Sequence, residues 1–243
     1  SDVGSAASAL LASSFAGDLT FTLDLDTNDQ LGASGNTITG GAGNDTLRLM
    51  GSAEQFKAST SSIEELYFDG SQAEAVIKAT GMVGISTLTF SGQNATNAIS
   101  LSGLSDTARV INSINDGGTV TQVYSAGGSL TVNLLSDPDT YVANQTVGDN
   151  DFILAARNTG AVTINVGSYV SAAGSSLLTN ATTLAVSVDA TSTLGGNIRA
   201  DKATTIAVTG GADIEAAVSG AAATTMSFDV GSGTIAVGST GIT

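Results

Sequence analysis

One phrase returns three times in the last third of this chain, and its spacing restricts the fold more than any other feature. It reads Ala181-Thr182-Thr183-Leu184-Ala185-Val186, then Ala203-Thr204-Thr205-Ile206-Ala207-Val208, then Ala223-Thr224-Thr225-Met226-Ser227-Phe228, at separations of 22 and 20 residues. An earlier pair, Ile63-Glu64-Glu65-Leu66-Tyr67-Phe68-Asp69-Gly70 and Ile85-Ser86-Thr87-Leu88-Thr89-Phe90-Ser91-Gly92, is again 22 apart. Extending that register predicts an apolar column of Leu66, Leu88, Val110, Leu130, Val162, Leu184, Ile206 and Met226. Two places on, a second column runs Phe68, Phe90, Asn112, Val132, Ile164, Val186, Val208 and Phe228, with Asn112 the exception. The next position is polar throughout: Asp69, Ser91, Ser113, Asn133, Asn165, Ser187, Thr209 and Asp229.

Apolar residues at alternate positions describe a strand with one buried face. A second short apolar run follows about half a repeat later, at Val76-Ile77, Ile99 with Leu101, Val120 with Val123, Ile198, Ile214, and Ile235 with Val237. Each repeat therefore predicts two short strands and two turns. One repeat cannot bury its own apolar face, whereas stacked repeats bury it on their neighbours. The expectation is an all-β fold, a parallel β-solenoid of the β-roll or β-helix kind, with about 20–22 residues and two strands per turn. An antiparallel sandwich is the competing architecture, but it does not need an in-phase repeat. Composition agrees with thin stacked layers. Of 243 residues, 42% are hydrophobic but only 5% aromatic, so the interior rests on Ala, Val, Ile and Leu.

The spacing breaks once, between Leu130 and Val162, by about ten residues. An insertion near 134–156, holding Pro138 and several aspartates, is expected to leave the stack as a loop suited to lateral contact. The division this implies is an N-terminal segment, 1–58, followed by a solenoid, 59–243. The opening "SDVGSAASALLASSFAG" lacks a basic n-region and does not read as an intact signal peptide. It is expected to begin a processed or excised segment, and its Ala/Leu content predicts one short helix over about 5–15.

Gly40-Gly41-Ala42-Gly43-Asn44-Asp45-Thr46-Leu47-Arg48 fits the nonapeptide G-G-x-G-x-D-x-U-x, where U is a large apolar residue. Glycines allow backbone shapes that turn carbonyl oxygens inward, and Asp45 adds a carboxylate. An oxygen-only donor set suits a hard cation such as Ca²⁺. Leu31 to Thr39 looks like a degraded copy, with Asn36 at the aspartate position and Ile38 at the apolar one. In this stretch the chain resembles the RTX family of calcium-binding repeats. The single motif, set in a long chain rich in Ala, Thr, Gly and Ser, also resembles bacterial surface-layer (S-layer) proteins that carry RTX repeats.

The resemblance implies calcium shared between turns. The Gly41 and Gly43 carbonyls and the Asp45 carboxylate would form one half-site. Candidates for the other half are Asp24, Asp26, Asn28, Asp29 and Asn36, with Glu54 behind them. Asp24, Asp26 and Asn28 have the one-three-five spacing of an EF-hand loop, but no Glu stands at the twelfth place and Asp29 replaces the turn glycine. A solvated turn is the other reading of these four residues. Asp116, Asp149, Asp151, Asp213 and Asp229 read mainly as turn formers, with one or two of them as further ligand candidates.

Charge and composition exclude several functions. A formal charge of −15 disfavours nucleic acid, which needs basic groups to displace counterions, and disfavours anionic lipid. With no histidine and no cysteine, Ser–His–Asp and Cys–His catalysis, disulfides and zinc–thiolate sites are out. Sugar-binding aromatic platforms are scarce, with four tyrosines and no tryptophan. The seven basic residues fall at scattered phases of the repeat, so no basic ladder of the lyase type forms. No run approaches the ~20 apolar residues of a membrane span. The expectation is a non-enzymatic, secreted, extracellular cell-surface protein that is stabilised by calcium and assembles with itself as a surface-layer subunit or segment. In that reading a cell-surface polysaccharide is an expected partner of another region. The alternative is a secreted RTX-type adhesin or matrix-filament segment that binds glycan or receptor.

Overall fold

A computed structural model describes residues 9–24, 35–50, 58–69, 76–78, 82–91, 98–104, 109–114, 119–125, 128–135, 148–149, 153–156, 160–172, 176–210, 214–231 and 236–237. Every pairing among its strands is parallel, and the described residues contain no helix. The fold is the expected parallel β-solenoid. One long sheet orders Thr20–Asp24, Thr46–Met50, Glu65–Asp69, Thr87–Ser91, Arg109–Ile114, Leu130–Leu135, Ala161–Val166, Thr183–Val188, Thr205–Gly210 and Thr225–Val230 in the sequence in which the chain makes them. A second ten-stranded sheet carries the half-repeat runs, including Val76–Lys78, Ala98–Leu104, Thr119–Ser125, Thr193–Arg199 and Ile214–Ser219. Near the beginning, Ala9–Leu11, Thr37–Thr39 and Ser59–Ser61 form a three-stranded sheet.

Two columns of core side chains run the length of the long sheet, Leu130, Val162, Leu184 and Ile206 make a shorter third beside them, and Ile38, Val170, Leu194, Ile198 and Ile214 close the core from the other sheets. One of the two long columns runs Phe21, Leu47, Leu66, Leu88, Ile111, Val132, Ile164, Val186, Val208, Phe228. Leu47, Leu66, Leu88, Ile111, Val132 and Val208 in it have no exposed surface. The parallel column holds Leu23, Leu49, Phe68, Phe90, Ser113, Leu134, Val166 and Val188. Phe68 and Phe90 stack there with ring centroids 4.9 Å apart and planes inclined by 8°. Small and branched side chains repeating at the inter-strand distance of about 4.8 Å fill such a column without large rings.

The expected register is correct at both ends of the chain and slips in the middle. Leu66 pairs with Leu88, and Leu130 with Val162, Leu184, Ile206 and Met226 in turn. Between them Leu88 pairs with Ile111, not Val110, and Ile111 with Val132, not Leu130. A one-residue slip exchanges the two faces of a strand. It turns Asn112 outward and Ser113 inward, where Ser113 is 4% exposed, so neither fits the column expected for it.

The short N-terminal helix is also corrected. Ala9–Leu11 is a strand, paired with Thr37–Thr39, and the chain then turns through Ala12 to Phe15. A neighbouring strand with free backbone groups outweighs a modest alanine propensity for helix. The long sheet crosses residue 58 without interruption, since Thr46–Met50 pairs with Glu65–Asp69. Of the insertion, Gly148–Asp149 and Ile153–Ala156 belong to the second sheet. Pro138 lies outside the described residues.

Candidate functional site: the Gly40–Asp45 turn

The nonapeptide is a turn that delivers its last residues into the long sheet. Thr46–Met50 alternates inward Leu47 and Leu49 with outward Thr46 and Arg48. Before it, the turn is wedged between two others. A Cβ on Gly40 would strike the Ser62 carbonyl oxygen and Asp45 Oδ2, and one on Gly43 would strike the Gly17 carbonyl and Asp18 Oδ1. Ser62 itself sits at φ 50°. The glycines are therefore required by close approach between successive turns.

Asp45 is completely buried. Its Oδ1 accepts the Leu19 N–H at 2.9 Å, and its Oδ2 accepts the Gly41 N–H. Its own N–H donates to Glu64 Oε2 at 2.8 Å, and its carbonyl accepts the N–H groups of Glu64 and Glu65. The Asn44 N–H donates to Asp18 Oδ1 at 2.8 Å. Asp45 thus joins three consecutive turns, its carboxylate bonding amides of two and its own amide bonding the Glu64 carboxylate of the third; such charge-assisted bonds are stronger than neutral ones. Buried N–H groups need such partners.

Three carboxylates, from Asp18, Asp45 and Glu64, bind the backbone of residues 41–45. The two salt bridges between described residues are Arg48–Asp69 and Arg199–Asp201, so no basic side chain neutralises this trio among the described residues. Arg48, the last residue of the nonapeptide, also lies over the Tyr67 ring, 5.3 Å from its centroid. The donor chemistry fits calcium, being all oxygen, and each carboxylate oxygen keeps a lone pair beyond its amide. The described side chains alone do not complete the roughly six to eight oxygens that calcium takes. Among the described residues no three acidic side chains converge as an ion cage.

The other expected ligands divide by position. Asp24 ends the strand Thr20–Asp24 and is exposed. Asn36 precedes Thr37–Thr39, and its carbonyl accepts the Ser59 N–H at 2.9 Å. Gly41 and Gly43 lie in the turn with Asp45, so the structure brings those three together and leaves Asp24 and Asn36 on separate strand ends. Asp26, Asn28, Asp29 and Glu54, with Asp116, Asp151 and Asp213, lie outside the described residues. Asp149 is in a strand of the second sheet, and Asp229 is exposed on the last strand of the long one.

Sequence reasoning missed Asp18 and Glu64. The signal was present: Thr20-Phe21-Thr22-Leu23 repeats the pattern of Thr46-Leu47-Arg48-Leu49, so extending the column two steps upstream sets Asp18 beside Asn44. No family model, no curated protein and no solved structure matches this chain.

Proposed function

We propose that this protein is a structural component of a bacterial cell surface, a calcium-stabilised solenoid that assembles with copies of itself as a surface-layer subunit or segment. The observation that carries the reading is the ladder itself. A ten-stranded parallel sheet with a filled core on one side and an outer face largely of Thr, Ser, Asn and Asp presents the same surface at a fixed spacing. Its regularity suits repeated contact with identical neighbours.

Calcium enters through chemistry. The chain carries −15, and three carboxylates bond separate backbone amides of the nonapeptide turn without a basic partner among the described residues. Asp45, Asp18 and the Gly41 and Gly43 carbonyls are the groups that would hold the ion, which would offset the negative charge of the turn. Extracellular calcium near millimolar fills even sites with a Kd of about 10⁻⁴ M.

The test is to strip the purified chain with chelator, titrate calcium, and follow circular dichroism, light scattering and negative-stain micrographs. The expected result is ordered arrays that form with calcium and disperse with chelator. A monodisperse chain with the same melting point in both conditions would sink the proposal. A calcium-loaded monomer that captures glycan would replace it with the adhesin alternative.

A further inference from the structure

The outer face of the long sheet is charged on its first three strands and its last, and uncharged between them. Asp24, Arg48, Glu65 and Asp69 stand at outward positions on Thr20–Asp24, Thr46–Met50 and Glu65–Asp69, and Asp229 on Thr225–Val230. The six strands from Thr87–Ser91 to Thr205–Gly210 each turn three residues outward, and none of those residues is charged. Arg109 opens its strand opposite Leu130, out of phase with this face.

The uncharged band is also suited to being covered. Asn112, Asn133 and Asn165 run along its middle and are bonded in series, at 2.9 Å from Asn165 to Asn133 and from Asn133 to Asn112. Burying a polar group is costly when it loses its hydrogen bonds, and each of these amides keeps a partner within its own sheet. Beside them Val110, Ile114 and Leu135 occupy outward positions and are half-buried, with Ile114 paired to Leu135.

A second copy is the occupant this surface favours. Two chains at −15 repel each other, and a contact that also desolvated carboxylates would cost more. A basic partner would be drawn to the acidic remainder of the surface. A like face brings hydroxyls and amides that can pair with hydroxyls and amides. It also carries the same inter-strand repeat of about 4.8 Å, so ridges and hollows match across the width. We propose that this band packs on the same band of a second copy, two sheets about 10 Å apart, related by a two-fold axis near Leu130–Leu135 and Ala161–Val166.

Six strands at about 4.8 Å and five residues at about 3.3 Å make the band roughly 500 Å² in flat area. Standard interfaces bury about 800 Å² per partner, so one such contact is weak alone and gains strength when other contacts hold the copies together. It is isologous and closes on a pair, leaving other surfaces to extend an array. The contact names one self-association surface of the structural reading above and rests on that reading.

Thr163 lies at the middle of the band, Ala185 on its exposed part, and Val83, which is 69% exposed, lies off it. Sedimentation of the full chain in calcium should show single chains in equilibrium with pairs. Thr163→Glu and Ala185→Glu should each weaken pairing about tenfold or more with circular dichroism unchanged, because the contact then desolvates carboxylates. Thr163→Lys should also stay single, and mixing it with Thr163→Glu should restore pairs, since the two-fold axis brings the opposite charges together. Val83→Glu should pair like wild type.

Pairing of both glutamate variants at wild-type strength overturns the contact, as does loss of pairing in Val83→Glu or a mixture that stays single. Ordered calcium-dependent arrays from wild type and Thr163→Glu alike overturn the contact and leave the structural function standing. A wild-type chain that stays single at every calcium level, with or without added glycan, overturns both.

Discussion

Asn133 donates its side-chain N–H to Asn112 Oδ1 at 2.9 Å, across adjacent strands of the long sheet. The bond is one link in a chain of like direction. Asn165 donates to Asn133 at 2.9 Å, Asn112 to Thr89 Oγ1 at 3.2 Å, and Thr89 to Glu65 Oε1 at 2.5 Å. Thr46 reaches the other Glu65 oxygen from below, at 3.1 Å. The outward face is thus tied across six strands, with the donors above ending on one carboxylate. Aligned bonds of this kind polarise one another.

Replacing Asn133 tests that chain. Asn133→Ala removes two hydrogen bonds at a half-exposed site where water takes part of the load, so a loss of about 1–2 kcal/mol is expected. Asn133→Asp keeps the acceptor for Asn165 but sets a carboxylate against Asn112 Oδ1, and should cost more than the alanine at neutral pH. Urea unfolding of both variants, read as a fall in midpoint at constant slope, checks the order.

Asp45 should matter without calcium. Asp45→Asn turns an NH₂ group toward one of the two N–H donors, and Asp45→Ala leaves the Leu19 and Gly41 amides without acceptors. Each variant is expected to lose about 2–4 kcal/mol. The measurement is unfolding in excess chelator. Equal stability of wild type and variants there would mean that the aspartate acts only through the ion.

Thr60 offers the opposite change. It is 2% exposed, and its hydroxyl oxygen is buried without a hydrogen-bond partner among the described residues. It pairs with Ile38 on one side and Met82 on the other, both apolar. Thr60→Val keeps the shape and removes the polar atom, so a gain of about 1 kcal/mol is expected. A higher melting temperature in a calorimetric scan would show it.

The alternation of apolar residues made the strands, the parallel stacking and the filled inner face legible, because a solenoid repeats one local problem at fixed spacing. The exchange of Asn112 and Ser113 was not legible. Spacings of 23 and 21 residues around Ile111 carry the slip, and a fixed 22-residue register averages them away. Asp45 was identified as the central residue of its turn. Its partners Asp18 and Glu64 come from neighbouring turns, and only the pairing of strands brings them near. Ala9–Leu11 was misread because its strand partner lies 28 residues away and local propensity knows nothing of it.

Asp189 gives the turns a dependence on pH. Its Oδ1 accepts the Thr191 hydroxyl at 2.6 Å and the Thr191 N–H at 2.9 Å, and these two bonds, the hydroxyl's foremost, hold its carboxyl below the ordinary 3.8. Thr191 Oγ1 in turn accepts the Tyr169 N–H of the preceding turn at 3.0 Å. A carboxyl depressed in the folded state contributes stability above its unfolded value and loses it as pH falls through the folded one. Wild type should therefore exceed Asp189→Asn in stability at pH 7, with the difference shrinking below about pH 4. Paired urea melts at pH 7 and pH 3 read it, and a constant difference would assign the effect to packing.

The stacked pair Phe68 and Phe90 sets the largest side chains of the core in one column, both without exposed surface. Either residue changed to Ala removes a ring from a column that cannot collapse, because the strands above and below are held by their own ladders. About 3–5 kcal/mol is expected for each. The double variant should lose less than the sum, since the second ring leaves a site already half empty, and a double-mutant cycle should return a coupling of about 0.5–1.5 kcal/mol. Phe68→Leu with Phe90→Leu restores aliphatic stacking of the kind found at Leu134 and Val166, and should recover most of the loss. Strict additivity of the two alanines would mean that the rings act as separate fillers and that their stacking adds nothing.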